Sequence, residues 1–342
     1  MDILSIIEKL SETPAPSGFE HTSAKKTEGL FSRVFDTVER DRFGNVYGIR
    51  KSGISGAKCL LLDAHSDEIG LITTGSEDGF LTFNAIGGVD PRILPASEVA
   101  VLTSPPRYGV ICASPPHLQT AEEMENSLKI EDLYIDVGAE SDEVHAGTPV
   151  VFSSECVKLK GSSISCRALD DRASLAALLY AVSMLKNKKI PLDIVLVAST
   201  QEELGCRGAK IAGYKINPDF ALVMDVTHGS TPGVDKGLTF DCGSGTAIGV
   251  GANITKKLSD KLISIAKEKR IPHTIEVCPR DSGTNASSIQ TAREGIATAL
   301  LSIPLKYMHT PVETLKKADI ESAARLTYEF ILALASGGVF RD

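Results

Sequence analysis

Apolar residues fall into different rhythms along the chain. Ile3, Ile6, Ile7 and Leu10 recur at helical spacing and predict an amphipathic helix near the N-terminus. Short apolar runs at 46–49 and 60–62 predict strands, the second leading into Asp63-Ala64-His65-Ser66-Asp67. From Gly70 to about Ser162 the texture changes to brief runs, 70–74, 80–83, 99–102, 109–112, 133–137 and 149–152. Turns such as Gly87-Gly88, Pro105-Pro106 and Pro115-Pro116 divide them, which predicts a small β domain or barrel. Beyond Asp170, helices at 173–186, 209–212, 258–269, 286–293 and 319–335 alternate with strands at 194–198, 220–224, 274–277 and 297–303. This alternation predicts an α/β fold, three layers around a mostly parallel sheet. The two flanking segments share a texture that the middle lacks. The expectation is therefore one discontinuous α/β domain, residues 1–66 and 163–342, with a β-rich domain inserted at 67–162.

Composition narrows the function classes. A chain of 342 residues exceeds what one core usually organises, in keeping with two domains. The net charge of −8 argues against nucleic acid or an anionic membrane as partner. No uninterrupted apolar stretch has the length of a bilayer span. The first ten residues carry Asp2, Glu8 and Lys9, unlike a secretory signal. Seven cysteines, odd in number, scattered and without a C-x-x-C pair, predict neither a disulfide framework nor structural zinc. A reduced cytoplasm is the expected setting.

The chemistry concentrates where apolar runs stop. Glu202 and Glu203 follow the run Ile194-Val195-Leu196-Val197 closely, and two carboxylates at the lip of a core need compensation. A metal ion is one such compensation. Neighbours in sequence point apart, so one glutamate can ligate while the other acts as a base. His65-Ser66-Asp67 places a histidine and a carboxylate on one strand face, a spacing suited to a ligand and the group that orients it. Asp170-Asp171 opens a predicted helix, Asp225 ends a predicted strand, and His309 follows the strand at 297–303, with His228 as a rival ligand. Each alone has an ordinary explanation as a helix cap, turn acid or loop histidine. Together they form an oxygen and nitrogen donor set for zinc, cobalt or manganese, arranged as in dinuclear hydrolases. A G-x-S-x-G elbow and a phosphate-binding loop are absent. Gly243-Ser244-Gly245-Thr246 is only a fragment of a dinucleotide fingerprint. Adjacent carboxylates also suit glycoside hydrolysis poorly.

The ordered motifs His65-Ser66-Asp67-Glu68-Ile69-Gly70, Ala168-Leu169-Asp170-Asp171-Arg172, Gln201-Glu202-Glu203-Leu204-Gly205, Met224-Asp225-Val226-Thr227 and Tyr307-Met308-His309-Thr310-Pro311-Val312-Glu313 resemble one known family. It is that of the dinuclear metallo-aminopeptidases, including glutamyl and deblocking aminopeptidases and the tetrahedral TET peptidases. Some relatives are labelled cellulase M or endoglucanase, an activity this chemistry does not favour. The likeness extends to Pro16-Ser17-Gly18-Phe19-Glu20 and to residues 129–136. It implies that His65, Asp170 and Asp225 ligate one divalent ion and Asp170, Glu203 and His309 a second. It implies Glu202 as general base, Asp67 as the group orienting His65, and a non-proline cis bond after Asp170. It further implies a PDZ-like insert used in dimerisation, often within a dodecamer, and short peptides as substrates. Arg280, Ser282 and Gly283 lie in a loop placed near the substrate in relatives. In that loop Asn285 stands where aspartate is common, which bears on substrate side-chain preference. Cys206 replaces a commonly aliphatic residue and reads as a small buried hydrophobe. The rival readings are an N-acyl amino acid deacylase or carboxypeptidase on a related fold, and a metal-binding assembly protein without turnover.

Overall fold

A computed structural model describes residues 2–120, 126–139 and 141–337. In chain order come α1 (Ile3–Ser11), α2 (His21–Phe31), β1 (Thr37–Arg40), β2 (Val46–Arg50) and β3 (Lys58–His65). The middle segment holds β4 (Gly70–Glu77), β5 (Phe80–Ile86), β6 (Glu98–Val101), β7 (Arg107–Ala113), β8 (Leu133–Asp136) and β9 (Pro149–Phe152). Then follow β10 (Val157–Leu159), β11 (Ser163–Cys166), α3 (Leu169–Ser183), β12 (Leu192–Ser199), α4 (Arg207–Ile216) and β13 (Phe220–His228). The remainder is β14 (Thr246–Gly251), α5 (Lys256–Glu268), β15 (His273–Cys278), α6 (Asn285–Gln290), β16 (Ala297–Leu305), β17 (Glu313–Lys316) and α7 (Lys317–Ala335).

The main sheet has eight strands in the order β1-β2-β12-β3-β13-β16-β14-β15. Its centre, β12-β3-β13-β16, is parallel. Strand alternation explains how it is buried on both sides. In β3, Leu60, Leu62 and Ala64 join the core under α1, α3, α5 and α7, while Leu61 joins the core under α4 and α6. The continuous apolar runs of the sequence are strands between two helical layers, as predicted. Asp63 and His65 fall on the Leu61 face, so chain geometry alone carries ionisable groups inward.

β4 to β9 close into a six-stranded barrel in the order β4-β5-β8-β7-β6-β9, with Leu71, Leu81, Val99, Ile111, Ile135 and Val150 in its own core. A third sheet, β10-β11-β17, was not foreseen, nor were α2, β1 and β14. The glycine fragment before β14 serves the backbone: Gly245 has φ +96°, and a Cβ there would lie 2.0 Å from the Pro272 carbonyl oxygen.

One expectation is corrected. Cys156 and Cys166 form a disulfide. The antiparallel register of β10 and β11 pairs Val157 with Ser165, which sets the two cysteines opposite each other with Cα atoms 4.4 Å apart. Scattered spacing in the sequence gave no sign of that juxtaposition. No helix among the described residues is long and apolar enough to cross a membrane.

A buried ionic cluster joins segments that lie far apart in the sequence. Glu68, at the β3–β4 junction, pairs with Arg167 and with Arg172, whose Nη2 lies 2.8 Å from Oε1. Arg172 also donates to the carbonyls of Leu10 and Ser66, Arg167 donates to that of Ser11, and the Ala15 N–H donates to Glu68. Burial opposes charge on Glu68, but Arg167 and Arg172 outweigh it and hold the carboxyl below its usual range. Glu68→Ala leaves two buried guanidinium groups uncompensated and should destabilise the protein by about 3–5 kcal/mol in denaturant unfolding. A loss under about 1 kcal/mol would show that the cluster does not hold these segments together.

Candidate metal centre

Strand ends deliver the side chains. His65 ends β3, and its register partner Ser199 ends β12, so the turn after β12 carries Glu202 and Glu203 beside it. Asp225 lies near the end of β13, and His309 sits in the turn after β16 with φ +60°. Asp170 stands at the start of α3, and its bond to Asp171 is cis. Ligand atoms of His65, Asp170 and Asp225 lie within 4.8 Å of one another, as do those of Asp170, Glu203 and His309, and those of His65, Glu202 and Glu203. The rival His228 is exposed and belongs to none of these groups.

Asp170 is the junction. Its Oδ1 lies 3.1 Å from His65 Nε2 and its Oδ2 3.3 Å from His309 Nε2, and Glu203 Oε1 is 3.1 Å from the same His309 atom. The opposite nitrogens face backbone carbonyls: His65 Nδ1 is 3.1 Å from the Asp67 oxygen, and His309 Nδ1 is 2.9 Å from the Gly88 oxygen. A carbonyl only accepts, so each Nδ1 carries a proton. In the neutral ring, Nε2 then turns a lone pair toward a carboxylate oxygen. Only a cation between them, a proton or a metal ion, removes that repulsion.

The electrostatics point the same way. Asp67, Asp170, Asp225, Glu202, Glu203 and Glu313 crowd around the imidazoles of His65 and His309. Burial first, then Asp170 and Glu202, pushes Asp225 well above its usual range. Burial also raises Glu202 to about 7, with Glu203 and Asp67 adding and His65 opposing. For His309, burial opposes the charge, but Asp170 and Glu203 outweigh it and raise the ring to about 11. The donor set therefore fits divalent cations, through His65, Asp170 and Asp225 on one side and Asp170, Glu203 and His309 on the other.

Asp67 accepts from the Glu202 N–H at 3.1 Å and the Glu203 N–H at 3.2 Å, in addition to its place beside His65 Nδ1. Glu20 accepts from the Gln201 N–H at 2.9 Å. Three consecutive N–H groups of the glutamate turn are thus held by two buried carboxylates from distant segments. Glu313 accepts from the Asp170 N–H at 3.0 Å and the His309 N–H at 2.9 Å, binding these two turns with one carboxyl group. Glu20 and Glu313 stand within the sequence motifs, but nothing in their spacing shows this task. The barrel takes part as well: Gly88 O accepts from His309, and a Cβ on Gly88 would lie 2.9 Å from that ring.

The substrate-loop residues stand otherwise. Arg280 is exposed, Ser282 Oγ accepts from Asn253 Nδ2 at 2.9 Å, and the Gly283 N–H donates to Asp281. Asn285, the departure in this loop, has partners within the protein. It is buried and donates to Asp63 Oδ1 at 2.7 Å and Ser199 Oγ at 2.9 Å, beneath the site. Cys206 is no mere hydrophobe either, because its thiol donates to Glu202 Oε1 at 3.3 Å. Burial and the Glu202 charge raise that thiol and keep it protonated.

Glu313→Ala frees the backbone at Asp170 and His309 together. Chelator competition should then show metal affinity about 10- to 100-fold weaker, as for other groups that orient ligands. Unchanged affinity would mean that the turns hold themselves.

The comparisons with known proteins agree with this geometry. The profile of the M42 glutamyl aminopeptidase family matches residues 44–326. The chain is 36% identical to the lysyl aminopeptidase of Pyrococcus furiosus over 332 residues, 94% of each chain. An aminopeptidase from the archaeon Desulfurococcus kamchatkensis superposes with a TM-score of 0.91 at 36% identity, covering 99% of this chain and 96% of that one. The TET1 peptidase of Pyrococcus horikoshii, which can assemble into a tetrahedron or a large octahedral shell, superposes with a TM-score of 0.84 at 31% identity, covering 98% and 99%. The chain belongs to the M42 glutamyl aminopeptidase family and is a hydrolytic exopeptidase of the aminopeptidase kind.

Proposed function

We propose that the protein removes N-terminal residues from short peptides at a site for two divalent ions, with zinc ahead of cobalt and manganese. His65, Asp170 and Asp225 would hold one ion, Asp170, Glu203 and His309 the other, and Asp170 would serve both. The observation that carries this reading is the placement of Asp170 between two imidazoles whose Nδ1 atoms are already committed to carbonyls. When bound, the ions supply Lewis-acid polarisation of the scissile carbonyl and acidify water. Glu202 belongs to the same cluster without contacting Asp170, which leaves its carboxylate available as a base. It takes a proton from the attacking water as the new carbon–oxygen bond forms. It returns that proton to the amine nitrogen as the peptide bond breaks. Asp67 holds the glutamate turn and His65 in one geometry, and the Cys206 thiol and Glu20 restrain the same turn.

The barrel-bearing insert, taken as residues 67–162, is the proposed surface for self-association into dimers and then a dodecamer. A relative that assembles into tetrahedral and octahedral shells supports this.

Glu202→Gln should keep two equivalents of metal by elemental analysis and lose about 10²- to 10⁴-fold in kcat on aminoacyl p-nitroanilides. Near-normal turnover with metal bound would remove Glu202 from the mechanism. Asp170→Asn should fail to retain either ion, and chelation of the parent protein should abolish turnover until zinc, cobalt or manganese is restored. A carboxyl group raised to about 7 is protonated below that pH, so kcat/KM should decline on the acid side. Bound cations favour the ionised form, which places this limb at or below pH 7. A rate that stays flat down to pH 4 would exclude a carboxylate base.

A further inference from the structure

A carboxylate with no part in the site described above stands on the Asp225 face of the main sheet. Glu276 on β15 lies opposite Gly249 of β14, which has no side chain to block it. It therefore reaches over β14 and accepts from Ser302 Oγ at 2.5 Å and from Thr227 Oγ1 at 2.5 Å. Both hydroxyls belong to the metal site's surroundings. Ser302 is the register partner of Asp225, and Thr227 is two residues beyond Asp225 on the same strand face. Adjacent strands are ~4.8 Å apart and two residues along a strand advance ~6.6 Å. The Glu276 carboxylate is thus about one long side chain away from the Asp225 carboxylate.

Its environment is that of an oriented but uncompensated anion. Each oxygen takes one hydroxyl, which fixes the plane of the group and leaves a lone pair on each oxygen for another donor. Hydroxyls bring no charge, and no lysine or arginine among the described residues pairs with Glu276. The group is half-buried, so water screens it only in part. Arg280, four residues further along the same segment, is exposed by contrast.

We infer that Glu276 is the specificity-determining acceptor for the side chain of the substrate's N-terminal residue, and that this residue is lysine or arginine. The inference rests on the aminopeptidase reading and takes the free α-amino group of the substrate to lie at the ion that His65, Asp170 and Asp225 would hold, which puts the α-carbon of that residue beside Asp225. From there an extended lysyl or arginyl chain ends at Glu276 and supplies the missing positive charge. A glutamyl side chain meets like charge, and an apolar one leaves the carboxylate without its donor.

The metal-loaded protein is assayed on lysyl, arginyl, leucyl and glutamyl p-nitroanilides, and calorimetry compares L-lysine with L-norleucine, which lacks only the terminal amine. Lysyl or arginyl substrates should exceed leucyl by at least tenfold in kcat/KM, and lysine should bind at least tenfold tighter than norleucine. Glu276→Gln should lower the lysyl-to-leucyl ratio about 10- to 100-fold, the range of a lost charge-assisted hydrogen bond. A group that only ties β15 to its neighbours would change all substrates alike and leave the ratio unmoved, which overturns the assignment. No preference for basic residues in the parent protein overturns it equally, and that measurement decides the matter if the variant does not fold. If no aminoacyl p-nitroanilide is cleaved, the aminopeptidase reading falls, while the comparison of lysine with norleucine still tests Glu276.

Discussion

Asp170 offers one oxygen to His65 and the other to His309, and the arrangement of the catalytic half follows from keeping that carboxylate there. A carboxyl group this buried loses its hydration, and burial works against its charge. The two imidazoles outweigh that penalty and hold Asp170 ionised, below the ordinary carboxylate range. Their Nδ1 atoms are committed to carbonyls, which directs Nε2 inward. One carbonyl comes from the β3–β4 junction and the other from the barrel. The centre is therefore assembled from segments that are independent in sequence.

Holding those segments in register falls to the buried ionic cluster. Glu68 immediately follows Asp67, and Arg167 and Arg172 bracket Asp170. Their shared bonds tie the end of α1, the strap at Ala15, the exit of β3 and the entrance of α3 into one unit. Two guanidinium groups against one carboxylate leave positive charge in the interior. It sits behind an acidic cluster and contributes favourably to Asp67 and its neighbours. Glu313 and Glu20 do comparable work with backbone N–H groups, whose bonds to a carboxylate are directional and strong in a low-dielectric setting.

Much of this was legible beforehand because it follows from local spacing. The two-sided apolar runs, the change of rhythm at Gly70 and again near Asp170, and the acids and histidines after strands each reflect a period of two or 3.6 residues. The missed elements are those without such a signal. β10, β11 and β17 are only three or four residues long, and β14 is interrupted by Gly249 and Gly251. The Cys156–Cys166 disulfide depended on a register that no spacing reveals. Asn285 stood in a loop motif whose spacing does not reveal that a short helix turns it inward to Asp63.

The sequence by itself determined the fold class, the change of texture that marks the barrel, and the residues able to hold metal. Those properties reside in residue type and order, which any chain conformation carries with it. Tertiary structure alone decided which lone pair each histidine turns inward, that Glu20 and Glu313 bind the turns at Gln201, Asp170 and His309, that Gly88 of the barrel faces His309, and that Glu276 accepts from Thr227 and Ser302. These depend on contacts between residues far apart in the chain. Their energies depend on distance and burial, and neither exists until the strands are in register and water has been excluded.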